Sequence, residues 1–165
     1  MHQELSAHDA VNFVIETQKS LVGFYQNAAN LVEKADGRSV FTRLADETRQ
    51  RLAHYYLLHY GNGTLEFESF MTSPMLGDSA MLHELSRQIS ANLNSHQARD
   101  LAMQEELDIE RRLNLYAGRV INPVARELLR QAAYETGQHA KIIESEYAHT
   151  MGMVHETDIN TFVRE

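Results

Sequence analysis

The chain repeats itself, and the repeated unit is a pair of helices. "VGFYQNAA" (22–29) parallels "RLNLYAGR" (112–119), and "ADETRQRL" (45–52) parallels "AYETGQHA" (133–140). Tyr25 precedes Glu47 by 22 residues and Tyr116 precedes Glu135 by 19, a difference one loop absorbs. Apolar residues recur in both halves at helical spacing, and no strand pattern of any length competes. Two helical hairpins joined by a long crossover describe an all-α four-helix bundle.

The first helix is expected roughly over 9–34, with the stripe Val14, Leu21, Phe24/Tyr25, Ala28 and Val32. Ser6 and Asp9 can cap each other's amides ahead of it. "ADGRS" (35–39) reads as a break, and the second helix as 40–59, with Phe41, Leu44/Ala45, Leu52 and Tyr55 inward. Residues 60–78 form the crossover, with Gly at turn positions and apolar side chains that pack across the bundle. A short helix follows at about 79–93. The third long helix starts after "NS" (94–95) and runs to about Val120. Asn122 and Pro123 then supply a cap and a first helical position, and the fourth helix stops at Gly152. The expectation is one domain over 1–165, with a helical core at 9–150 and a tail at 152–165.

Composition narrows the function. At 165 residues and 43% hydrophobic, with few Gly and Pro, the chain is long enough for a real core. A net charge of −8 without a Lys/Arg patch argues against nucleic acid. No apolar run reaches membrane-spanning length and no signal peptide opens the chain. Cys is absent, which removes disulfides, thiolate metal sites and a Cys nucleophile, and fits a cytoplasmic protein.

"FYQNAA", its weaker echo "LYAG", and "HAKII" on the last helix resemble the rubrerythrin-like branch of the ferritin-like superfamily. The resemblance covers roughly residues 9–150. It implies a ferritin-like bundle with an up-down-down-up path, and two irons held by a Glu seven residues before each Tyr and a Glu-x-x-His on the second and fourth helices. Family bundles commonly dimerise, and the crossover is rich in Phe and Met, so a homodimer is expected. Carried onto this chain, the ligand pattern falls on Gln18, Ile109, Thr48 with Arg51, and Thr136 with His139. His139 alone keeps a metal ligand's chemistry. Without Cys there is no rubredoxin-like module, so a redox version needs an external electron donor.

Four conspicuous Glu residues, Glu16, Glu47, Glu110 and Glu135, come one from each helix. One residue turns a helix by about 100°, which tests whether they are the true ligands. The stripe through Glu47 (Arg43, Gln50, His54) faces water, whereas that through Thr48 (Phe41, Leu44, Arg51, Tyr55) is flanked by apolar residues. The fourth helix divides likewise between Glu135 and Thr136. These Glu are therefore read as a solvated face. The alternative is a rearranged metal site using Glu135 and His139 at i, i+4 with Glu47 or Glu110.

Three functions follow. The first is a bundle without a di-iron centre, acting as a non-catalytic binding or interaction module with no cofactor. The second is an iron oxidoreductase of rubrerythrin type acting on peroxide or dioxygen. The third is a binder of a small anion in the vacated cavity around Arg51 and His139. Arg51 is the awkward residue, because an inward guanidinium needs a counter-charge the sequence does not name. Tyr25 and Tyr116 are expected near the centre as packing residues with hydroxyl partners. Tyr55 and Leu58 are expected inward, with His54 and His59 exposed or part of a subunit contact.

Overall fold

The computed structural model describes residues 4–60, 64–73 and 93–150, with backbone only at 64–65 and 146–150. Five helices account for nearly all of them: α1 (Ala7–Leu31), α2 (Ala35–Tyr60), α3 (Thr64–Thr72), α4 (Ser95–Ala117) and α5 (Pro123–Thr150). The expected short helix at 79–93, except Leu93 at its end, and the tail lie outside the described residues. No helix among those described is long and apolar enough to cross a membrane.

The helix starts are chemically specified. Ser6 Oγ accepts from the Asp9 amide at 3.1 Å, and the Asp9 carboxylate accepts from the Ser6 amide at 3.1 Å. That reciprocal cap stabilises the first turn by about 1 kcal/mol. Asn94 and Gln97 form a second such box at the start of α4. Asn122 Oδ1 accepts from the amides of Val124 and Ala125, with Pro123 opening α5 where a missing N–H costs nothing.

Two expectations fail at the turns. "ADGRS" does not break the chain, because Ala35 already begins α2 and the connection is only residues 32–34. Asp36 sits in the first turn, where the helix dipole favours a carboxylate. It accepts from the Ser95 amide at 3.0 Å, and backbone hydrogen bonds, Ser95's first, hold its pKa below the usual carboxylate range. Packing leaves no room for a side chain at Gly37: a Cβ there would lie 2.3 Å from the Leu93 carbonyl oxygen. The crossover is the second correction, since it contains α3. Phe67 of α3 is buried against Val11, Ile15, Val22 and Leu52. Lys19, only 4% exposed, donates from Nζ to the carbonyls of Phe70 (2.8 Å) and Ser73 (2.7 Å) and to Ser73 Oγ (2.9 Å). All three ammonium hydrogens are thereby used, and the charge sits at the carbonyl end of a helix, which favours cations.

The long helices form a ring in which α1 packs on α2 and α5, and α4 packs on α2 and α5. The core inside it includes Tyr25, Phe41, Leu44, Leu113, Leu129 and Ile143, each at most 1% exposed. Short connections make α1–α2 and α4–α5 antiparallel hairpins. The starts of α2 and α4 meet through Asp36 and Ser95, and Arg51 lies beside Glu106 further along both helices. Those two helices therefore run in the same direction.

Gly37→Ala is expected to destabilise the protein by about 2 kcal/mol, because a backbone carbonyl must give way, although Ala normally improves a helix interior by about 1 kcal/mol. Gly137→Ala is the control. Its Cβ would meet the carboxyl end of Glu110 at 2.7 Å, a flexible tip that can swing aside. Urea unfolding of both variants checks the contrast, and equal effects would refute it.

Candidate functional site

A carboxylate lies at the centre of the bundle. Glu106 of α4 is 1% exposed, and its Oε1 accepts from the Tyr25 hydroxyl of α1 at 2.9 Å. The same oxygen lies 2.6 Å from His139 Nδ1 of α5. An ionised carboxylate only accepts, so the bonding assigns the proton to Nδ1. Arg51 of α2 brings its Nη2 to 4.0 Å from Oε1 and donates from Nη2 to Thr48 Oγ1 at 3.2 Å. One helix thus supplies a buried oxygen, and the other three each place a charged or polar side chain around it. Burial first, then the adjacent Glu106 charge, pushes the Tyr25 phenol well above its usual pKa.

The carried-over positions fall as follows. Thr48, Ile109, Thr136 and His139 are buried, and Gln18 is half-buried. Thr136 satisfies its hydroxyl by donating to the Ala132 carbonyl at 2.8 Å. Arg51 stands at the rim with its side chain 43% exposed. Glu47 and Glu135 are exposed, while Glu16 and Glu110 are half-buried. Glu47 reaches Arg43 at 3.7 Å and lies 4.0 Å from His139 Nε2. Glu135 accepts from the Gln131 amide at 3.1 Å, and the Glu110 carboxyl covers Gly137. The structure brings His139 near Glu47 but does not gather Glu47, Glu110 and Glu135 into one set. Tyr116 is not at this centre; it stacks on Phe13 with ring centroids 4.4 Å apart. Leu58 is 71% exposed, contrary to expectation, because the inward stripe of α2 ends at Leu52 and Tyr55. His54 and His59 are exposed.

Glu106 is the residue sequence reasoning missed. Its signal was the stripe Ala102, Glu106, Ile109, Leu113, where one acid interrupts an apolar face at helical spacing. The position seven before Tyr116 is Ile109, one turn beyond Glu106 on the same face.

Beside this cluster is a cavity of about 70 Å³ that opens to solvent. Gln18, Arg51, Tyr55, Glu106, Glu135 and Thr136 supply its polar wall, and Val14, Leu52 and Ala132 its apolar one.

The resemblance implies two irons, so the donors must be tested against them. A di-iron site needs several inward carboxylates to neutralise its charge. The centre offers one buried carboxylate and one imidazole, bonded to each other, with a guanidinium 4.0 Å from the carboxylate and the exposed Glu47 4.0 Å from the imidazole. Among the described residues no three His, Asp or Glu side chains are placed to share an ion. This donor set does not fit a di-iron centre.

Compared with protein-family models, curated proteins and solved structures, the chain finds no match. What the fold and site define is an all-helical bundle with a polar cluster at its centre.

Proposed function

We propose that this chain is a ferritin-like, rubrerythrin-related four-helix bundle in which hydrogen bonding has replaced metal coordination, and that it works as a non-catalytic binding module. The observation that carries the reading is Glu106. Its Oε1 holds both Tyr25 and His139, and Arg51 opposes its charge. A carboxylate committed in this way is satisfied without an ion. The shared direction of α2 and α4 supports the up-down-down-up path. Self-association as a homodimer belongs to the same reading, supported by exposed Leu107 and Tyr134 along one outer groove of α4 and α5. Sedimentation velocity measures it.

The test is metal loading. Fe(II) is added without oxygen, the protein is desalted, and iron is counted per chain. The expected result is a trace amount with the helical signal intact. About two irons per chain, lost in His139→Ala, would restore the oxidoreductase reading.

A further inference from the structure

The cavity beside Glu106 carries opposite charges on its wall, and this limits what it can hold. Arg51 alone would favour an anion, but Glu106 stands 4.0 Å from it and Glu135 lines the same space. A bare anion would meet two carboxylates, and a bare cation would meet the guanidinium. Donor and acceptor capacity remain on both sides. The Tyr55 hydroxyl is buried and has no hydrogen-bond partner among the described residues. Arg51 is one turn before Tyr55 on α2, and its described polar contacts all involve Nη2, so its other N–H groups are available to an acceptor. The described hydrogen bonds of Glu106 all fall on Oε1, which leaves Oε2 to accept. A buried hydroxyl without a partner weakens the folded state, so a ligand that bonds it removes that cost.

We propose that this cavity binds a small zwitterion, an α-amino acid with little or no side chain. The carboxylate lies against Arg51 and the Tyr55 hydroxyl, and the ammonium lies against Glu106 Oε2. Charges of the ligand and wall then alternate. The volume of about 70 Å³ holds a few heavy atoms, and Val14, Leu52 and Ala132 give a short apolar wall that suits a hydrogen or methyl group at the α-carbon. The inference rests on the binding-module reading and names the ligand class for it.

Calorimetric titration of the full chain with glycine, L-alanine, acetate and methylamine tests it. Glycine or alanine is expected to bind, with acetate and methylamine at least roughly tenfold weaker, since each lacks one half of the charge pattern. Arg51→Ala and Tyr55→Phe should each weaken amino-acid binding by roughly tenfold while circular dichroism stays unchanged. Both residues are incompletely buried, so folding survives either change. Acetate binding as tightly as alanine would overturn the proposal in favour of an anion site. No binding by any probe would overturn it too, leaving the cavity to water. Iron content measured on the same protein separates the two readings: failure here without iron uptake sinks the zwitterion alone, whereas iron uptake sinks the binding-module reading.

Discussion

Replacing Glu106 by leucine is expected to lower stability by about 3–5 kcal/mol, the cost of removing one partner from a buried charged network. The loss arises from what is left behind. Tyr25 is fully buried and its hydroxyl would lose its acceptor, as would the His139 ring N–H. Each orphaned group costs about 1–3 kcal/mol. Arg51 would keep its partial exposure and contribute less. Two companions separate the causes. Glu106→Gln retains an oxygen that can accept from both groups but removes the charge, and its cost should be about half that of leucine. The triple variant Tyr25→Phe, Glu106→Leu, His139→Leu removes the three hydrogen-bonded groups together, leaving only the partly exposed Arg51, and should recover most of the loss. Urea unfolding with a constant slope reports all three. A Glu106→Leu variant within 1 kcal/mol of wild type would show that the cluster is not the structural centre described here.

Alkaline pH should unfold this protein through Tyr25. The unfolded phenol ionises near pH 10, while burial and the Glu106 charge hold the folded phenol well above that value. A raised folded pKa means that the stabilisation is complete below pH 10 and is lost as pH rises above it, because only the unfolded state releases the proton. Tyr55 adds to the same window, since burial pushes it up to about 12. Stability should fall by up to about 1.4 kcal/mol per pH unit for each such group. Absorbance at 295 nm should show exposed phenols titrating first and a final step that coincides with loss of helical circular dichroism. Tyr25→Phe should flatten the decline above pH 10, at a cost of about 1 kcal/mol at neutral pH from the lost hydrogen bond. A Tyr25 phenol that ionises near 10 in the folded chain would contradict this account.

The all-α architecture was legible because it rests on periodicity. The stripes of α1, α2, α4 and α5 survive any reading of their ends, and the caps at Ser6 and Asn122 are local chemistry. What escaped was decided by contacts distant in sequence. Gly37 looks like a breaker until the Leu93 carbonyl is seen against it. The α3 helix is short, with a weak pattern of its own, and is held by Lys19, 51 residues from Phe70. At the site, rotation about each helix axis correctly put Thr48 and Thr136 inside and Glu47 and Glu135 outside. It could not pair Arg51 with Glu106, because nothing local links α2 to α4.

The shared starting point of α2 and α4 also bears on the order in which the chain assembles. Each hairpin closes across three to five connecting residues, so its contacts are local and quick to form. Asp36 and Ser95 close a loop of 59 residues, and the length-dependent part of that closure costs about 3–4 kcal/mol. His139 meets the buried oxygen of Glu106 within the second hairpin, but the Tyr25 bond and the Arg51 contact come from the first hairpin and form only after this step. The central cluster is therefore completed late in folding, when two preformed halves meet.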